Sequence, residues 1–323
     1  MLLFEQGTKQ EMIDFVSNAI EDKWCIQAIG VAEEVNDKTV FNLLNENNSR
    51  RNDTLGEFRN RPIFILKSKQ KIFDRAEELI FLDNLVSDYK DDSPYSRMKK
   101  NIILDLVKSV LEPNLDKKTA LQLGCSNGYE TGQLSKIFSN LYVADGSEKF
   151  IKKVEAFHPN VNFVHTLFEE INVSFYNQKF DFIFCHYILE HVFDSVVILQ
   201  KLKRLLSPNG LIFIVVPNAN ALSRQLAQNM GMIKNLTDLT KNDLNHGHRR
   251  VYTYESLLND INKANLKVAK ISGVVFKILA DFQLNELLHS GFLKEEHILG
   301  MQKLAQVDEN IQFSDSFFTV LEA

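Results

Sequence analysis

The chain has 323 residues, 45% hydrophobic and 24% charged, with 37 Lys+Arg against 42 Asp+Glu and a formal net charge of -5. That length and composition specify a globular protein with a sizeable core, in one large or two smaller domains. The acidic balance excludes the overall electrostatic footprint of a duplex nucleic-acid or anionic-membrane binder.

Near the start, Glu5, Lys9 and Glu11 interrupt any signal-peptide core, and the longest strongly apolar run, 211–216, is far too short to cross a bilayer. A cytoplasmic, reducing location without a membrane span is therefore expected. The widely spaced Cys25, Cys125 and Cys185 form no CxxC or zinc spacing, so neither a disulfide framework nor a metal site is expected. Residues 25–30 read as a strand ending in glycine, 45–53 as a polar loop, and 62–66 and 79–82 as further short strands. Together they predict a small α/β module over residues 1–92. It lacks a phosphate-binding glycine set, so a structural or docking role is expected. The charged, proline-containing stretch 88–94 reads as a linker.

From residue 93 to 323 the pattern becomes regular. A helix is predicted over 98–111, with Ile102, Ile103, Leu106, Val107 and Val110 at helical spacing. Strands are predicted at 119–123, 141–144, 161–165, 180–185 and 211–216, with a helix at 196–206. Continuous apolar strands separated by helices predict a parallel sheet buried on both faces. A polar insertion runs to about residue 251, followed by a helix at 254–264, a strand at 267–275, further helices and a last strand at 313–321. Most of the 24 Phe fall in these elements and predict core packing rather than an aromatic site.

The strongest chemical signal is Leu121-Gln-Leu-Gly-Cys-Ser-Asn-Gly-Tyr129. It follows the first strand of the sheet and opens a helix. Small residues let the backbone turn sharply and approach a ligand, and the helix start adds unpaired amides. A dinucleotide fingerprint needs a third small residue where Tyr129 stands. The spacing that is met is Gly124, Ser126, Gly128. Asp145 then ends the second strand, where an acid can accept both ribose hydroxyls.

Two later stretches complete the pattern: Phe180-Asp-Phe-Ile-Phe-Cys-His-Tyr-Ile-Leu-Glu-His-Val192, and Leu202 through Ser207-Pro-Asn-Gly210 to Pro217-Asn218. In this order the motifs resemble class I, Rossmann-like S-adenosylmethionine-dependent methyltransferases over roughly residues 95–323. The resemblance implies a seven-stranded, mostly parallel, doubly wound sheet with an antiparallel last strand, and S-adenosylmethionine as cofactor. It implies cofactor contacts from Gly124, Cys125, Ser126, Asn127, Gly128, Asp145, Gly146, Phe168 and His186, with Arg97 towards the cofactor carboxylate. It also treats 190–191 as a helix start. This chain departs from the pattern at Gln122, where an acid is usual, at Ser126 for a glycine, and at Thr166-Leu167-Phe168, where the adenine-binding acid is missing and Glu169 or Glu170 could substitute.

The insertion resembles a branch of the family acting on small molecules and glycan components, which carries a Gly247-His-Arg-Arg-Val-Tyr252 stretch. This implies methylation of a small-molecule acceptor, with a sugar, nucleotide-sugar or glycan-pathway hydroxyl favoured, and no nucleic-acid partner. A quinone or protein acceptor, a non-catalytic scaffold and a homo-oligomer remain alternatives. A hydroxyl acceptor must lose its proton, so histidines titrating near neutrality are the candidate bases. His248 comes first, His246 in reserve, and His191 either as base or as a structural residue. Arg249 and Arg250 could clamp an anionic group or sit in salt bridges, and Tyr252 could line the acceptor pocket or pack on the sheet.

Overall fold

The computed structural model describes residues 2–4, 25–28, 64–67, 75–88 and 92–323, with 114, 172–175 and 177 excepted. The chain separates into two compact units, Met1–Glu78 and Leu79–Ala323. In the first, β1 (Leu2–Phe4), β2 (Cys25–Ala28) and β3 (Phe64–Lys67) form an antiparallel sheet in the order β1-β3-β2. The loop predicted at 45–53 lies outside the described residues.

The run 79–82 is not a strand. It lies inside α1 (Arg75–Asp88), which begins with Glu77 and Glu78 in its first turn. Four consecutive apolar residues fit a strand or a buried helix equally well, and here the Glu, Leu and Ala around them favour the helix. The stretch predicted as a linker likewise ends in a helix start. Ser93 caps α2 (Pro94–Lys108) by accepting from Ser96 N–H, and Pro94 occupies the first turn, where its missing N–H costs nothing.

The second unit is built on a seven-stranded sheet. Its strands are β4 (Thr119–Leu123), β5 (Asn140–Asp145), β6 (Asn162–His165), β7 (Phe180–His186), β8 (Leu206–Pro217), β9 (Lys267–Val274) and β10 (Ser316–Glu322). Their order is β6-β5-β4-β7-β8-β10-β9. The first five run parallel, and β10 is antiparallel to both β8 and β9. The expected doubly wound sheet with its reversed last strand is thus present. Strand-to-strand connections run outward from β4 to β6, then return to β7 on the other side of β4. The carboxyl ends of β4 and β7 therefore flank the switch point, where open α/β sheets bind ligands.

Alternating side chains build two cores. Leu121, Leu123, Ile183, Cys185, Ile212, Ile214 and Val216 face α5 (Ser195–Leu205) and α8 (Tyr254–Lys263). Ala120, Phe182, Phe184, Phe213 and Val215 face α2, α3 (Tyr129–Leu134) and α4 (Glu148–Glu155). Phe184 stacks on Phe213 with ring centroids 5.2 Å apart, and Phe138 and Phe318 extend the cluster. The abundant phenylalanine in this sheet is core, as its placement in strands predicts. The insertion after β8 folds as α6 (Leu222–Asn229) and α7 (Lys241–Asn245). Beyond β9 come α9 (Asp281–His289) and α10 (Glu295–Ala305).

Candidate active site

The turn after β4 is held in the conformation its small residues allow. Gly124, Ser126 and Gly128 all have positive φ, at 75°, 48° and 81°. A Cβ on Gly124 would come within 2.8 Å of Ile188 Cδ1, and one on Gly128 within 2.8 Å of Val154 Cγ1. The Gly128 position therefore serves α3–α4 packing as well as the turn. Asn127 Oδ1 accepts from Tyr129 N–H at 3.1 Å. Buried Gln122 substitutes for an acid by hydrogen bonding alone: its Nε2 donates to Gly124 O and its Oε1 accepts from Thr131 Oγ1, both at 2.9 Å.

Asp145 sits across the crevice at the end of β5. Its carboxylate accepts Cys125 N–H and Ser147 N–H, each at 2.8 Å, and so fixes the turn to the neighbouring strand. Burial raises its pKa, against the pull of these amides. Beyond it, Gly146 lies under α1: a Cβ there would meet Leu82 Cδ1 at 2.4 Å. Ser147 Oγ donates to Asp83 Oδ1 at 2.7 Å. At the far end of the crevice, Gly247 is covered by Phe81, 3.0 Å from where its Cβ would stand. Thus α1 spans both loops.

The remaining predicted cofactor contacts divide. Phe168 opens a 3-10 turn (Phe168–Glu170) after β6 and packs against the core. Glu169, a candidate adenine acid, accepts instead from Phe193 N–H at 3.0 Å. His186 ends β7 with Nδ1 2.6 Å from Glu130 Oε1, while its buried Nε2 has no partner among the described residues. Glu130 was not singled out in the sequence, although its place in the first turn of α3 was legible. Arg97 makes a forked pair with Asp92, at 2.7 and 2.8 Å, and is exposed. Lys100, one turn on, reaches Asn127 Oδ1 at 3.4 Å.

Residues 187–194, expected in part as a helix start, form turns between β7 and α5. They present Glu190 and His191 at the carboxyl edge of the sheet. His248 arrives from the insertion, its ring 4.8 Å from that of His191 in an edge-to-face contact. One ligating atom each of Glu190, His191 and His248 lie within 4.8 Å of one another. Glu190 is fully buried, and neither carboxylate oxygen has a hydrogen-bond partner among the described residues. Burial pushes Glu190 up to about 8, and burial beside His248 pushes His191 down to about 3. Asp243 Oδ1 stands 3.1 Å behind His248 Nδ1. It is itself held by Thr240 N–H and Oγ1, both at 2.8 Å, and by Arg224 at 3.1 Å. His246 turns away, its Nδ1 2.8 Å from Asn242 O.

The predicted substrate residues serve the scaffold. Arg249 Nε donates to His191 O at 2.6 Å and its guanidinium lies 3.8 Å over the Phe193 ring. Arg250 donates to Leu189 O at 2.5 Å and Phe193 O at 2.7 Å. The pair thus braces the 189–193 turns. Tyr252 is buried in the core beside α8, with its hydroxyl 3.4 Å from Asp260.

This site fits a sulfonium nucleoside. The left-handed turn clears room for it, the Asp145 carboxylate at the strand end is able to accept hydroxyls, and Ser126 Oγ and His186 Nε2 are buried without a hydrogen-bond partner among the described residues. The family model of the methyltransferase domain matches residues 95–271, more than half of the chain. A ubiquinone biosynthesis O-methyltransferase of Actinobacillus pleuropneumoniae is 28% identical over 176 residues, covering 52% of this chain and 74% of that protein. A tRNA U34 carboxymethyltransferase of Campylobacter curvus is 29% identical over 116 residues, covering 31% of this chain and 35% of that one. The structure of DhpI in complex with SAM and HEP superposes with a TM-score of 0.50 at 15% identity, covering 80% of this chain and all of the other, and agrees in fold. The chain belongs to the methyltransferase-domain family and is an S-adenosylmethionine-dependent methyltransferase.

Proposed function

We propose that the enzyme methylates a hydroxyl oxygen on a small, uncharged acceptor, a sugar or a dihydroxyarene. One observation carries the reading: Glu190, His191 and His248 converge at the carboxyl edge of β7, beside the cofactor turn. When bound, S-adenosylmethionine supplies an electrophilic methyl group. The chain must align the acceptor oxygen with that methyl and receive or relieve its proton. His248, backed by Asp243, is placed for this, with His191 beside it. An amine or carboxylate acceptor would need no such group.

Two findings support the reading. The O-methyl transfer named for the Actinobacillus relative concerns an oxygen acceptor. The guanidinium groups of Arg249 and Arg250 are engaged by backbone carbonyls, which favours a neutral acceptor over a phosphorylated nucleotide sugar. The test is S-adenosylhomocysteine release across sugars, dihydroxyarenes, nucleotide sugars, carboxylates and amines. Hydroxyl compounds are expected to turn over. His248→Ala should lower that turnover by roughly 10²–10⁴-fold, the usual contribution of a proton-handling group, with S-adenosylmethionine affinity unchanged. Preferred turnover of amines or carboxylates would sink the proposal.

A further inference from the structure

We propose that Glu190, His191 and His248 form a site for one divalent transition-metal ion, which holds the acceptor hydroxyl; the acceptor part of this rests on the function proposed above. The residue set is a carboxylate and two imidazoles, which is the chemistry of open zinc, cobalt and manganese sites. Their ligating atoms already lie within 4.8 Å of one another. At ligand distances of about 2.0–2.2 Å a tetrahedral ion holds its ligands ~3.3–3.6 Å apart, so side-chain adjustments of about an ångström complete the set.

The surroundings point to a missing cation. Glu190 is 0% exposed and both its oxygens lack a hydrogen-bond partner among the described residues. A buried carboxylate in that state is costly unless a charge meets it. Arg250 and Lys99 attract it only through space: Arg250 donates to Leu189 O and Phe193 O, and Arg249 to His191 O. Their effect is to fix the turns that carry Glu190 and His191. On the other side, Asp243 stands 3.1 Å from His248 Nδ1, close but not aligned as a hydrogen bond. A carboxylate behind a ligating histidine is the usual support of a metal ligand: it fixes the tautomer and leaves Nε2 to bind. Asp243 is itself locked by Thr240 and Arg224, so His248 is held from two layers out.

Three protein ligands leave coordination positions open. An acceptor hydroxyl bound there becomes more acidic, and adjacent hydroxyls could bind together. With the ion bound, His248 relieves the acceptor of its proton as a ligand of the ion and not as a base: the hydroxyl proton leaves to solvent, an oxygen lone pair forms the O–CH3 bond, and the breaking C–S pair stays on sulfur as a neutral thioether. No electrons are gained or lost overall, so no oxidant or reductant is required.

The test uses the full, untagged chain freed of metal by chelation. Co2+ is titrated with visible absorption as the readout, and Zn2+ by calorimetry, with S-adenosylmethionine affinity as the check that each protein is folded. Wild type is expected to bind one equivalent, with a Co2+ spectrum typical of fewer than six ligands. Glu190→Gln and His191→Ala should each lose at least tenfold in affinity and alter that spectrum. Asp243→Asn, which leaves all three ligands, should weaken binding by roughly 10–100-fold. Absence of stoichiometric binding by wild type, or affinity and spectrum unchanged in Glu190→Gln, overturns the site. Metal binding without turnover of any hydroxyl acceptor leaves the site standing and defeats the acceptor role. Hydroxyl turnover at full rate in the chelated enzyme defeats the metal and leaves the O-methyl transfer.

Discussion

Asp145 carries two tasks through one carboxylate. It accepts the amides of Cys125 and Ser147, so it shapes the crevice before any ligand arrives. We propose that the same carboxylate also accepts the ribose hydroxyls of the cofactor. Asp145→Ala is therefore expected to weaken S-adenosylmethionine binding by roughly 1–3 kcal/mol, the cost of buried amides and hydroxyls losing an acceptor. Calorimetry reads this directly, and an unchanged Kd in a folded variant would remove Asp145 from the site. The turn and this acid were legible in the sequence because positive φ and a strand-end carboxylate impose narrow residue choices. The support residues were not. Glu130 meets His186 across 56 residues, through the fold alone; Asp243 lies only five residues before His248 and meets it because the chain turns back at the end of α7. For the arginine pair the sequence left an anion clamp and a salt-bridged pair open together, because the carbonyls the two guanidinium groups brace come from a distant segment.

Among the elements, the parallel strands were the easiest to predict. β4, β7 and β8 are buried on both faces, so each reads as a nearly unbroken apolar run. α1 was the failure, since 79–82 is apolar without a visible period. Its packing has a measurable consequence. A side chain at Gly146 would stand 2.4 Å from Leu82 Cδ1 and 3.0 Å from Leu167 Cδ2, so the Leu82 side chain, its packing on the loop, or both must shift. Gly146→Val is expected to speed hydrogen exchange of the α1 amides by at least about tenfold, equivalent to ~1.4 kcal/mol of lost local stability. The β4–β7 amides should keep their wild-type protection. Unchanged exchange in α1 would mean that the helix does not depend on this contact.

On the scale of the molecule, one charged cluster ties the chain's distant segments together. Lys277 Nζ lies 2.9 Å from Asp281 and 2.8 Å from Asp315, and Lys99 on α2 lies 3.1 and 3.5 Å from the same two. It joins the ends of β9 and β10 to α2 and α9. The Asp281 side chain is half exposed, and Lys99 and Lys277 outweigh its partial desolvation and hold its carboxyl below the usual carboxylate range. A lowered folded-state pKa contributes stability above the unfolded value, about 3.9, that is lost as pH falls through the folded value. Asp281→Asn should therefore melt lower than wild type at pH 7, by about 2–4 °C for each kcal/mol removed. The gap should close as the pH is lowered below about 4. A gap that is constant with pH would assign the effect to packing rather than charge.

The reach of α1 also bears on how the protein can be trimmed. The polar stretch at 88–94 looks like a natural cut, yet the helix before it covers Gly146, gives Ser147 its hydrogen-bond acceptor and covers Gly247. A chain begun at residue 93 would keep every motif of the catalytic domain and lose the piece that closes over both ends of its crevice. Its cofactor affinity is expected to fall at least tenfold below that of a chain begun at residue 74. The boundary that matters for an expression clone is drawn by contacts made across the fold, on the far side of the most obvious break in the sequence.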